Sequence, residues 1–154
     1  MLQFTSILFN DILVGGKLNL RAERRFKLWR NFELYIYKND LLLLHIATAI
    51  KFLDFILEKH SDKTDFNIAI VSQSKVIFEK EVYEIKVDRL YLFKSKYGEI
   101  LINGKHAGKV LFAQKFPNSI LNFLPDKNIS FDENTYTKIA ILILINIANL
   151  DGSE

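Results

Sequence analysis

The sequence predicts a mainly β fold with one buried C-terminal α-helix, and three features predict it. From Ile139 to Ile145 every residue is apolar, Ile-Ala-Ile-Leu-Ile-Leu-Ile, with no polar residue until Asn146 and Asn149. A surface helix would carry a polar stripe every three or four residues, and a bilayer span needs roughly 20 apolar residues, so protein has to surround this run. Upstream, apolar residues recur at period two in several short segments, as in half-buried strands. The lengths also agree. A helix over Thr135 to Leu150 would be roughly 25 Å long, and a strand of about seven or eight residues spans nearly the same distance. A barrel of such strands could therefore enclose it.

The chain has 154 residues. That fits a single domain, 1–154, burying about 70% of its unfolded surface. With 49% hydrophobic and 25% charged residues, disorder is excluded. Only 6 Gly and 2 Pro suggest helices, but 13 Phe and the β-branched content argue for strands. There is no cysteine, which removes disulfides, thiolate metal sites and cysteine nucleophiles and fits a cytoplasmic location. The N-terminus has no basic leader, and Asn10 and Asp11 interrupt its apolar residues, which reads against a signal peptide.

Taken in order, Phe26, Leu28, Phe32, Leu34 and Ile36 fall on even positions, predicting a strand or hairpin with its break at Arg30 and Asn31. Between Leu41 and His60 the polar residues His45, Thr48, Lys51, Asp54 and Glu58 recur every three or four positions behind Asn39 or Asp40. That spacing favours a helix, with two buried strands, Leu41 to Ala47 and Ile50 to Lys59, as the other reading. Phe66, Ile68 and Ile70 alternate again, followed by a polar turn at Ser72 to Ser74. Val76, Phe78 and Val82 are even, whereas Tyr83, Ile85 and Val87 are odd, so a bulge or turn is needed near Val82. Asn103-Gly104 between two apolar runs is the clearest hairpin signal, since a type I′ turn needs positive φ at both central residues. Alternation over Asn128 to Asp132 predicts a short strand. Ser130, Asp132 or Asn134 can then cap the helix Thr135 to Leu150, which Gly152 would end.

Short meander strands followed by one all-apolar C-terminal helix resemble the tubby C-terminal-like superfamily, which includes tubby domains, LURP-one-related proteins and phospholipid scramblases. The hairpin pair Tyr97 to Gln114, the strand Asn128 to Asp132 and the helix Thr135 to Leu150 carry the resemblance, best from Phe66 to Asp151. It implies a closed antiparallel β-barrel of about a dozen short strands around a buried C-terminal hydrophobic helix. The helical spacing of Leu41 to His60 and the scarcity of turn glycines depart from it.

Catalytic patterns are weak. His45, His60 and His106 are scattered, without a His-Glu-x-x-His arrangement or a Gly-x-Ser-x-Gly elbow. Gly98 to Lys105 misses phosphate-loop spacing, with His106 where a hydroxyl belongs. Asp126, Asn128 and Ser130 begin like a calcium loop, but Phe131 replaces its turn glycine and Thr137 its glutamate. Glu79, Glu81 and Glu84 read as a solvated strand face. No enzyme, cofactor or metal is therefore expected.

The basic segment is the functional candidate. Lys17, Arg21, Arg24, Arg25, Lys27 and Arg30 stand against the single acid Glu23, with Phe26, Trp29, Tyr35 and Tyr37 nearby. Each Lys or Arg near an anionic membrane contributes roughly 1 kcal/mol, and aromatic residues seat at its interface or stack on bases. The plainer reading is a solvent-facing loop and edge where cations discourage aggregation. The function expected is a non-enzymatic module recognising anionic phospholipid head groups, cytoplasmic and peripheral at a membrane. A protein-interaction scaffold is the alternative, with nucleic-acid binding behind it, and no transmembrane segment is expected. In a strand, Lys27 lies opposite Arg24 and Arg30 in parity, so only a subset converges unless a turn intervenes at Arg30.

Overall fold

The computed structural model describes residues 2–7, 11–15, 17–26, 32–51, 54–115 and 119–148. Twelve strands form one antiparallel sheet. The first half comprises β1 (Leu2–Ile7), β2 (Asp11–Gly15), β3 (Leu20–Phe26), β4 (Phe32–Lys38), β5 (Leu41–Lys51) and β6 (Asp54–Asp62). The second half comprises β7 (Ile68–Ser72), β8 (Lys75–Phe78), β9 (Glu81–Val87), β10 (Lys96–Ile102), β11 (Lys105–Gln114) and β12 (Ile120–Pro125). Each strand pairs with its sequence neighbour within its half, and β1 pairs with β12 to join the halves. The result is a nearly closed barrel with α1 (Glu133–Ala148) as its core.

Burial follows strand parity. Phe32, Leu34 and Ile36 of β4 point inward, as do Leu20 and Ala22 of β3 and Leu2 and Phe4 of β1. They meet a helix that has no wet face in its middle, Ile139 through Leu144 all being wholly buried. Close approach between β11 and β12 requires Gly108, because a Cβ there would lie 2.4 Å from the Leu124 carbonyl oxygen and 2.6 Å from the Phe123 ring. No described helix is long and apolar enough to cross a membrane.

The sheet's two outer strands, β6 and β7, meet at a seam closed by side chains. Asp62 accepts hydrogen bonds from the Ile68 amide at 3.0 Å and the Thr64 amide at 2.8 Å, and from the Thr64 hydroxyl. Lys59 donates to the Ile68 carbonyl at 2.7 Å and pairs with Asp62 at 3.4 Å. One carboxylate and one ammonium thus serve the backbone groups of Ile68 where a ladder would otherwise run.

Three expectations are corrected or sharpened. Leu41 to His60 is not a helix; the other reading, two strands, holds, with β5 running on to Lys51 and β6 starting at Asp54. Register shifts leave one extra residue on β5, Leu43, and one on β6, His60. Thr48 turns its hydroxyl to the backbone of Phe32 on the inward parity, and Lys51 pairs with Asp54 across the reversal between β5 and β6, so polar positions fall at helix-like intervals by coincidence. Asn128 to Asp132 is not a strand either. The last strand is β12, and the segment after it turns at Asn128, with φ 67°, to place Phe131 against Phe123 and Tyr136. The helix begins two residues before the expected Thr135, with the Asp132 carboxylate accepting the Thr135 amide at 2.8 Å as its cap. Asn149 to Gly152 lie outside the described residues.

The expected break at Arg30 and Asn31 lies outside the described residues, and the remaining described turns match. The phase change near Val82 is the β8–β9 hairpin, turning at Glu79 with φ 57°. Asn103 and Gly104 take φ 52° and 80° between β10 and β11.

Candidate functional site

Antiparallel alternation divides the connections between two ends of the barrel. At the end where α1 enters, Lys38 pairs with Glu133 at 3.4 Å and Lys138 with Glu81 at 2.8 Å. Tyr83 lies close by, its hydroxyl pushed up to about 12 by burial and the Glu81 charge. At the end where α1 exits, Asn146 is buried. Its amide donates to the Gln73 carbonyl at 3.0 Å and to Ser74 at 3.4 Å, and its oxygen accepts the Tyr97 hydroxyl. Every hydrogen-bonding group of that side chain has a protein partner, which fixes the rotation of the helix inside the barrel.

The six basic candidates do not form one cluster. On β3, Leu20, Ala22 and Arg24 face inward, and Arg21, Glu23 and Arg25 face outward. Arg24 is only 2% exposed and donates to the carbonyls of Ala148 at 3.2 Å and Ile147 at 3.4 Å. These are among the last carbonyls of α1, which have no intrahelical partner and sit at the negative end of the helix dipole. Arg24 is therefore the helix's C-terminal cap, and burial removes it from any ligand surface.

Arg21 and Arg25 lie on the outer wall and share Glu23, at 3.9 Å and 2.8 Å. Arg21 sits over the Tyr37 ring at 4.5 Å, and Arg25 over Tyr35 at 4.7 Å. Hydrogen bonding to Glu23, and then its charge, holds the exposed Arg25 above its ordinary value. Tyr35 continues the row by stacking on His45 at 4.2 Å, and His45 meets His60 at 5.1 Å. Partial burial first, then the hydrogen bond donated to Glu33, raises the Tyr35 hydroxyl. Lys17 is exposed in the β2–β3 connection, at the entry end and thus about 20 Å of strand away from the Phe26 end of β3. Lys27 and Arg30 lie outside the described residues.

His45 and His60 meet on the outer wall, but the third histidine lies elsewhere. His106 hydrogen-bonds Asp126 at 2.6 Å and approaches Glu99 at 3.7 Å on the surface. Among the described residues, no group of three or more His, Asp or Glu gathers to hold a metal ion.

The ends themselves differ in chemistry. Connections at the entry end carry Lys17, Lys63, Lys80 and Lys127 against Asp40, Asp65, Glu79, Asp126 and Asp132. Described connections at the exit end carry Arg89, Lys94 and Lys115 against Asp88 alone.

The longest described exit connection is Asp88 to Ser95, which the sequence reading passed over. Its signal was an apolar, aromatic run, Leu90-Tyr-Leu-Phe93, flanked by Arg89 and Lys94 and lacking Gly or Pro. The Asp88 carboxylate accepts the Leu90 amide at 3.0 Å and pairs with Lys94 at 3.6 Å, and the first of these is the main reason its carboxyl is held below its ordinary value. Tyr91 is packed against Tyr97 and Phe112, while Lys115 donates to its carbonyl at 3.2 Å.

No family model, curated protein or solved structure matches the chain at a level that establishes relationship, which leaves the surface itself as the guide to function.

Proposed function

We propose that this chain is a non-enzymatic binding module that docks on an anionic phospholipid surface with the exit end of its barrel. The observation that carries the reading is the unequal charge of the described connections at the two ends: excess cations at the exit end, and a balance leaning to acids at the entry end. A membrane of negative surface potential attracts such a face at roughly 1 kcal/mol per cation, and the attraction falls off within a Debye length of about 8–10 Å. Arg25, exposed on the wall near this end, can exchange Glu23 for a phosphate. The location that follows is cytoplasmic and peripheral at a membrane. Membership of the tubby-like superfamily belongs to the same proposal, supported by the twelve-stranded barrel around a C-terminal helix.

Sedimentation with vesicles tests the reading, using phosphatidylcholine with and without phosphatidylserine. Binding should need phosphatidylserine and fall steeply as salt rises. Equal binding to neutral vesicles, or none to anionic vesicles at low salt, would remove it. Salt-sensitive binding to single-stranded nucleic acid without vesicle binding would favour a nucleic-acid module instead.

A further inference from the structure

The Asp88 to Ser95 connection shows two apolar side chains to solvent from a firm base. Phe93 is 86% exposed and Leu90 54%. Both belong to one tight turn, where the Phe93 amide donates to the Leu90 carbonyl at 2.9 Å and the Lys94 amide to the Tyr91 carbonyl at 3.3 Å. The turn is tied to the barrel at both ends, by the Asp88 amide on the Tyr97 carbonyl at 2.8 Å and by the Phe112 amide on the Ser95 carbonyl at 2.7 Å. Its middle residue Tyr91 is wedged between aromatic rings. Val71, 58% exposed, stands on the neighbouring hairpin, whose Ser74 carbonyl accepts the Ile85 amide at 2.9 Å.

Two large apolar side chains held out by one tied turn make an apolar patch, and such a patch rimmed by polar residues marks an interaction surface. Their surroundings select the partner. Arg89 and Lys94, next to the two apolar residues, are exposed, and Asp88 is the only acid of the connection. An apolar tip with cations at its base matches the layering of an anionic bilayer, hydrocarbon beneath phosphate, and long basic side chains reach back to the phosphates. A projecting tip also enters a fluid interface without needing a matched pocket.

We infer that Asp88 to Ser95 is a membrane-insertion turn: Leu90 and Phe93 enter the interfacial layer of an anionic bilayer while Arg89 and Lys94 contact its phosphates. The inference rests on the docking reading above and adds the depth and orientation of the contact.

Because the chain has no cysteine, a single one can report position. Phe93→Cys and, at the entry end, Leu41→Cys, which replaces a leucine 74% exposed, are each labelled with an environment-sensitive nitrobenzoxadiazole dye. With vesicles of phosphatidylcholine and phosphatidylserine, emission at position 93 should shift to the blue and brighten, and emission at position 41 should not. The unlabelled double variant Leu90→Ser/Phe93→Ser should keep its melting temperature and lose about tenfold or more of its vesicle affinity. If the wild type sediments with vesicles while dye 93 stays silent, or the double variant binds as well as wild type, insertion is wrong and electrostatic docking stands. If the wild type does not sediment at low salt, docking fails and insertion with it. A blue shift at position 93 on concentrating the protein without lipid would overturn the inference in favour of a second copy of the chain covering the turn.

Discussion

The entry and exit ends of this barrel solve the same chain-reversal problem with different chemistry. Every described residue with positive φ, namely Asn19, Asn39, Asp40, Asn67, Glu79, Asn103, Gly104 and Asn128, lies at the entry end. There the chain turns tightly, with the residue types that tolerate the left-handed region. The described exit connections use none. They include the long Asp88 to Ser95 segment, whose most prominent side chains face solvent. Turn chemistry accounts for one end as a product of folding. Leu41, 74% exposed at the entry end, follows Asp40, whereas Leu90 and Phe93 on the described exit connection stand beside Arg89 and Lys94, and that combination of apolar side chains with cations is where a partner should be sought.

The helix joins the two ends, and its disruption should have the largest effect. Ile143→Asp would leave an unpaired charge in a wholly buried position and should cost upwards of about 4 kcal/mol, leaving little folded protein in a thermal melt. A variant melting within a few degrees of wild type would break the central-helix description.

Two neighbours on β3 sharpen the inside–outside contrast. Arg24→Ala should cost about 2–3 kcal/mol, because buried helix carbonyls lose their donor and the site loses its filling side chain. Arg25→Ala should leave the unfolding midpoint essentially unchanged, its partner being a surface carboxylate. Urea unfolding of both decides, and equal effects would mean that parity along β3 has been misassigned.

The seam gives a pH test. Burial alone would raise the Asp62 carboxyl, but hydrogen bonds from Thr64 and Ile68 and the Lys59 contact outweigh it, so its folded value is lowered. The stability it contributes is then present above the unfolded value, near pH 4, and lost as pH falls through the lower folded value. Asp62→Asn should lower neutral-pH stability by about 1–2 kcal/mol and flatten the acid limb of the stability curve below pH 4. An acid limb identical to wild type would remove Asp62 from the seam.

A smaller effect compares the ends directly. Gly104→Ala, at φ 80°, should cost about 1 kcal/mol at the entry end. Phe93→Ser at the exit end should leave the melting temperature unchanged.

Much of this was written in the sequence. The run Ile139 to Ile145 announced the central helix, Asn103-Gly104 its hairpin, and the parity change near Val82 the β8–β9 turn. Arg24 was legible too, since it shares even parity with the buried Leu20 and Ala22. Its charge drew it into the surface cluster, because nothing local reveals that helix carbonyls 123 and 124 residues away need a donor. Leu41 to His60 misled for a related reason. Thr48 stands on the inward parity of Leu44 and Ile46 because its hydroxyl meets the Phe32 backbone, and Lys51 and Asp54 are partners across a strand reversal, so pairing across the sheet overrides local spacing. The exit end stayed hidden because a run such as Leu90 to Phe93 looks like one more buried segment until the strands around it are placed.

The most direct test is a matched pair of charge reversals assayed by vesicle sedimentation at low salt. Arg89→Glu/Lys94→Glu alters the exit end, and Lys17→Glu/Lys105→Glu makes the same change in net charge at the entry end. If the exit end is the membrane face, the first pair should lose binding to phosphatidylserine vesicles about tenfold or more, while the second binds nearly as wild type. Equal losses in both pairs would contradict an oriented contact and leave only net charge behind the binding.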